Sequence, residues 1–316
     1  GMLGSAHSGC RDRLALPGDP LDIQSVTLSQ PDAVQGEAGI GVTVRVANAS
    51  EFRQSIEAVD VSISLGGQDR TGEYALLGNP ANVTEMEPGA IVDLAFTLSV
   101  SQSAATGSAE VNAIATGGSG TPGAPAAEPG PLLILRHAQL EVMSQAVDGA
   151  TCRNSRVALL RAHVRNSGES TANLGAAIAS ILRDTADVTP EFVLSASTSN
   201  TTSLAGGAEA DLDVWIASDL LTPIGPVDAS ILAPASDARS AVDASAVAPP
   251  TSLDVHEPAA LAVTNVAETR VTVSKGQTDL VVSATVANSG SVPATIQSGA
   301  PTFAIGAGNT DADYTV

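Results

Sequence analysis

The sequence predicts an all-β protein made of tandem β-sandwich units, and three observations carry that expectation. One phrase occurs three times: "VRVANAS" runs into Asn48, "HVRNSG" contains Asn166 and "TVANSG" contains Asn288. Apolar and polar residues alternate with a period of two through each phrase. Short alternating runs are separated by "QGEAG", "GGQD", "EPGA", "SKGQ" and "GAGNTD", clusters of Gly, Pro, Asn and Asp that read as turns between strands.

The repeat keeps its register without gaps. Tyr74, Phe192 and Tyr314 each follow their asparagine by 26 residues; Gly89 and Gly207 follow by 41, Asp93 and Asp211 by 45, and Gly107 and Gly225 by 59. Gly36, Asn154 and Gly276 each precede it by 12, where a turn must come before the strand. The asparagines lie 118 and then 122 residues apart, too long for a solenoid repeat and right for one domain per repeat.

Within each unit the alternation assigns faces. Val42, Val44 and Val46, then Leu160, Ala162 and Val164, then Val282, Ala284 and Val286 point inward from the first repeated strand. Leu94, Phe96 and Leu98, and in the second unit Leu212, Val214 and Ile216, point inward from a later one. Burying each large aliphatic contributes roughly 1.5–3 kcal/mol, so about ten per unit can offset the chain entropy of a small domain. No long amphipathic helix is expected. Composition suits this: 43% of residues are hydrophobic but only 2% aromatic, so the cores must be filled by Val, Ala, Leu and Ile, and β-branched residues fit a pleated sheet.

The divisions that follow are a tail over residues 1–19, a sandwich over 20–116, a linker over 117–137, a second sandwich over 138–233, a second linker over 234–258, and an incomplete third sandwich over 259–316. The linkers are placed on the Pro/Gly run "TGGSGTPGAPAAEPGP" and the Ala/Ser/Pro run "APASDARSAVDASAVAPP". The first of these, if extended, reaches toward about 45 Å.

A formal charge of −20, with a single lysine at Lys275, argues against nucleic acid or anionic membrane as partners, because polyanion affinity rests on clustered basic residues. It favours solubility, mutual repulsion of neighbouring modules and a monomeric chain. No run of eighteen apolar residues occurs, so no membrane-inserting helix is expected. Cys10 and Cys152 form no zinc-binding group; an even count permits one disulfide between them and equally permits none.

The combination of "VRNSG" and "VANSG" with "MEPGAIVDLAFTL" about forty residues after Asn48 resembles the CARDB family, the cell-adhesion-related domain found in bacteria, within the immunoglobulin-like sandwich class. The first unit departs with Asn48-Ala49-Ser50, and the second has Gly206-Gly207 in place of Pro-Gly. The resemblance implies a secreted or surface-exposed bacterial setting and no catalytic residues.

Residues that bear chemistry are few. His7, His137, His163 and His256 show no HxH or HExxH spacing, and no nucleophile elbow, P-loop or dinucleotide fingerprint is present. Asn48, Asn166 and Asn288 are read as structural, since Asn at a strand end bonds nearby backbone and tolerates a left-handed conformation. Asp211 and Asp213 flank inward Leu212 and share an outer face, about 7 Å apart. Asp311 and Asp313, beside Asn309 in "NTDAD", are the candidate calcium ligands, although calcium takes about six to eight oxygens and a solvated acidic surface is the competing reading; otherwise no cofactor is expected. Trp215 projects from the outer face and is the candidate contact for a glycan or an extracellular protein. The function expected is a non-enzymatic spacer of a bacterial surface or secreted protein. The alternatives are a binding module using Trp215 or an accessory region of a secreted hydrolase.

Overall fold

The computed structural model describes residues 21–154, 157–268, 274, 276–278, 281–297, 299, 304–305 and 308–309. It is an all-β protein with two immunoglobulin-like sandwiches in tandem. The first contains β1 (Asp22–Leu28), β2 (Asp32–Val34), β3 (Ile40–Ala47), β4 (Gln54–Leu65), β5 (Tyr74–Gly78), β6 (Ile91–Val100), β7 (Gly107–Gly117) and β8 (Gly130–Leu135). One sheet has the order β1-β3-β6-β5 and the other β2-β8-β7-β4.

The second sandwich repeats this plan with β9 (Leu140–Asp148), β10 (Thr151–Cys152), β11 (Ala158–Asn166), β12 (Ile178–Arg183), β13 (Phe192–Ala196), β14 (Glu209–Ser218), β15 (Gly225–Ala233) and β16 (Thr251–His256). Its sheets are β9-β11-β14-β13 and β10-β16-β15-β12. Register is kept residue for residue: Val44 opposes Leu94 in the first unit, as Ala162 opposes Leu212 in the second. A bulge recurs in the first strand pair, between Ile23 and Ser25, between Val142 and Ser144, and again between Val263 and Asn265. Gly36, Asn154 and Gly276 all have positive φ, at 82°, 51° and 79°, the left-handed turn that Gly and Asn enter most readily.

The cores are aliphatic, as the alternation requires. Val42, Val44, Val46, Leu94 and Leu98 are buried with Ile63, Val111, Leu132 and Ile134 in the first unit; Leu160, Val164, Leu212, Val214 and Ile216 are buried with Ile181, Val227 and Leu253 in the second. Phe192 lies in the second core and Tyr74 packs on the edge of the first, each just after a short 3-10 turn. Tyr314 lies outside the described residues. Cys152 is buried on β10 and forms no disulfide among the described residues; Cys10 lies outside them.

Both expected linkers are corrected by the structure. Residues 117–137 contain β8, which pairs with β7 and runs parallel to β2; residues 234–258 contain β16, paired with β15 and parallel to β10. Glycine and alanine here serve close packing. Gly123 donates its N–H to the Ala115 carbonyl at 2.9 Å, and a Cβ at that glycine would collide with the Leu21 carbonyl oxygen. The chain between sandwiches is therefore the short stretch 136–139, and after the second sandwich 257–260 leads into the third unit.

The third unit, read from the sequence as incomplete, differs in the inward face assigned to the repeated strand. Its strands β17 (Leu261–Glu268) and β18 (Val282–Asn288) pair antiparallel, but no second sheet covers them among the described residues. Ala284 is exposed and Val286 is 38% exposed, so the inward face assigned to that strand is wet.

Candidate functional site

The recurring asparagine is a backbone clamp, buried in the first two units and exposed in the third. Asn166 is fully buried; its amide donates to the carbonyls of Ser170 (2.8 Å) and Leu204 (3.0 Å), and its oxygen accepts from the N–H groups of Gln139 and Gly168 at 3.1 Å. Asn48, 1% exposed, donates to Phe52 at 2.8 Å and to Met86 and Glu87, and its oxygen accepts from the Ser50 N–H. Asn288 bonds Val292 (2.7 Å), Ala260 (3.1 Å) and Gly290 (3.0 Å) in the same pattern. None of the three is among the residues with positive φ, so the amide's hydrogen bonds, and not left-handed geometry, explain the residue. In the second and third units the clamp also seats the incoming chain: a Cβ at Gly168 would strike the His137 carbonyl, and one at Gly290 the Pro258 carbonyl.

Trp215 stands on β14, opposite Leu159 of β11 and Ser195 of β13, and is 44% exposed. Val193 on β13 is 66% exposed nearby. Along the same outer face lies a charged ladder. Arg161 grips Asp213 through two bonds at 2.7 and 2.9 Å, and His163 meets Asp211 at 2.8 Å and Glu209 at 3.2 Å. The hydrogen bond to the Asp211 carboxylate, reinforced by Glu209, holds the imidazole above its ordinary pKa of 6.5. Arg161 holds the Asp213 carboxyl below the usual carboxylate range. Asp211 and Asp213 thus share the outer face as the alternation requires, Asp213 paired to the Arg161 guanidinium and Asp211 to the His163 imidazole of β11. In the first unit Arg45 and Asp93 occupy the positions of His163 and Asp211, 3.7 Å apart.

Asp311 and Asp313 lie outside the described residues, and those residues contain no cluster of three or more His, Cys, Asp or Glu that could hold a metal. A shallow recess of about 280 Å³ lies beside Tyr74, Glu73 and Ser101. No helix among the described residues is long and apolar enough to cross a membrane.

Four charged residues escaped the sequence reading. Asp237, 1% exposed, accepts from the N–H groups of Ala138, Arg239 and Ser240 at 2.7–2.9 Å. Arg239 reaches Asp32 and Glu37 of the first sandwich. The available signal was a lone arginine within a supposed Ala/Ser/Pro linker.

No protein-family model and no curated protein matches the chain. Among solved structures, it is similar to the C-terminal domain of the AgI/II polypeptide BspA of Streptococcus agalactiae, at 10% identity over 74% of this chain and 100% of that one, with a TM-score of 0.30. It is similar to the D00-D0 domain of intimin at 12% identity over 72% of this chain and 98% of that one, TM-score 0.25. The adhesin InvE of Yersinia pseudotuberculosis shares 14% identity over 73% of this chain and 58% of that one, TM-score 0.24. The fold stands on the strand pairing itself.

Proposed function

We propose that this chain is a non-enzymatic, CARDB-like spacer of a bacterial surface or secreted protein, related to adhesion. The observation that supports it is polarity: each sandwich is entered at one end and left at the other. Asp22 opposes Ala47 at one end of β3, whereas Leu135 opposes Val34 beside the opposite end; Leu140 opposes Asn166, whereas His256 opposes Cys152. The final strand of each unit runs parallel to its second strand, β2 or β10, so chain direction is preserved and lengths add. The 12-residue β4 sets a unit length on the order of 40 Å at about 3.3 Å per residue. The buried polar side chains described above are spent on backbone hydrogen bonds, which agrees with a structural role. Small-angle scattering of the 316-residue chain is expected to give an elongated particle; a compact globule defeats the proposal.

A second reading is favoured by Trp215, whose indole is exposed beside Leu159 and Val193. On this reading the outer face of the second unit binds an extracellular glycan or protein by aromatic stacking. A glycan array should then show a signal with the native chain that Trp215→Ala loses, and a blank native array removes the idea.

A further inference from the structure

We propose that the hairpin 235–243 of the second sandwich is a clamp that fixes its angle to the first, with Arg239 closing on Asp32 and Glu37. The corresponding hairpin of the first unit, 116–122, is the short run "TGGSGTP" closed by a Thr116–Pro122 bridge. In the second unit the chain continues past Ala233 through the strand Ala235–Asp237, bridges Ser236 to Asp243, and carries an arginine at its tip.

The arm is pre-organised by its own sandwich. One oxygen of the buried Asp237 carboxylate accepts the N–H groups of Arg239 and Ser240 at 2.9 and 2.8 Å. The other accepts the N–H of Ala138 at 2.7 Å, in the connection between the sandwiches. From that base Arg239 crosses to the first sandwich, where it meets the Asp32 carboxylate at 2.6 Å, the Asp32 carbonyl at 2.9 Å and the Glu37 carboxylate at 2.9 Å. Glu37 is itself nearly buried, and its other donors are the Val34 N–H at 2.8 Å and the Gln30 amide at 2.9 Å. Arg239 is the cation that balances it, and a buried charge is stable only when so paired. The planar guanidinium suits this role because it serves two carboxylates and a carbonyl at once.

Three further contacts brace the joint. Gly36, at φ 82°, leaves room for the arm: a Cβ there would lie 2.6 Å from a Val242 methyl and 3.4 Å from the Ser240 Cβ. His137 meets the Gln35 side chain at 3.2 Å, and Gln35 also holds the Ala104 carbonyl at 2.6 Å. Arg136 donates its N–H to the Glu169 carboxylate at 2.8 Å, and its carbonyl accepts the N–H groups of Glu169 and Ser170. The connection is thus bonded to both neighbours.

This goes beyond spacing: a string of sandwiches hinged at each connection would also separate its ends, whereas a clamped pair holds an angle. Residual dipolar couplings of the full 316-residue chain distinguish the two. One alignment tensor is expected to fit the cores of both sandwiches in the native chain. Arg239→Ala is expected to give two tensors of different magnitude, with core chemical shifts unchanged. The variant Asp32→Asn/Glu37→Gln leaves the arm intact and is expected to release the pair likewise. Two unequal tensors in the native chain, or one tensor retained in both variants, overturn the clamp. Neither result bears on whether the chain scatters as an elongated particle.

Discussion

At the scale of single residues, the repeated asparagine carries more of the fold than a strand-ending turn would require. Removing the Asn166 side chain leaves two carbonyls and two N–H groups without their partner in a buried site. Each unsatisfied buried group costs about 1–3 kcal/mol, so Asn166→Ala is expected to destabilise the second sandwich by about 3 kcal/mol or more. Urea unfolding followed by amide probes in that unit checks this, and a loss below about 1 kcal/mol would show the clamp to be redundant. His163 offers a second test. Its folded pKa is raised above 6.5, chiefly by the Asp211 hydrogen bond and then by Glu209. A raised folded pKa means that the stabilisation is fully present below the unfolded value and is lost as pH rises through the folded one. An NMR titration should therefore place the native midpoint above 6.5, with Asp211→Asn moving it down; an unmoved midpoint would assign the shift elsewhere. The period-two pattern made the outward direction of His163 and Trp215 legible, because a strand leaves its side chains two directions. The four-way bonding of Asn166 was not legible, since two of its partners, Gln139 and Leu204, lie on other segments that only the fold brings near.

At the scale of elements, the segment that reads as a linker is the last strand of its sandwich. Composition misleads here for a physical reason: in β8 only Leu132 and Ile134 face the core as large side chains, while the Gly and Ala residues before them are selected for close backbone approach. A fragment ending at residue 116 leaves β7 paired with β4 alone and uncovers the core that Leu132 and Ile134 close. A fragment of residues 21–135 is therefore expected to fold cooperatively, and one of residues 21–116 to lack a cooperative transition, as judged by thermal unfolding. Cooperative folding of both would restore the linker reading. The glycine of Asn-x-Gly belongs to the same scale. It was visible as a repeated letter, but its cause is the incoming chain at His137 and Pro258, and the first unit has Ser50 there. Gly168→Ala must push that chain aside, at a cost of about 1–3 kcal/mol by the general scale for overpacking.

At the scale of the whole molecule, the three units share one phrase and not one stability. The alternation in β18 matches that in β3 and β11, although the third unit is read from the sequence as incomplete, and burial needs an opposing sheet as well as a pattern. In the first two units β7 and β15 supply it with Ala and Val packed under the repeated strand. Among the described residues of the third, β17 and β18 pair only with each other, and apart from a half-buried Val282 their residues are exposed. A two-stranded hairpin without a covered face is marginal in water, and amide protection follows the cost of local opening. Hydrogen exchange on the 316-residue chain should therefore fall into two classes. Amides of β3, β6, β11 and β14 are expected to exchange only through opening of a whole sandwich, while those of β17 and β18 exchange faster by orders of magnitude. Equal protection in β18 and β11 would mean that Val282 and Val286 are covered after all, by a surface that makes the third unit a full partner in the array.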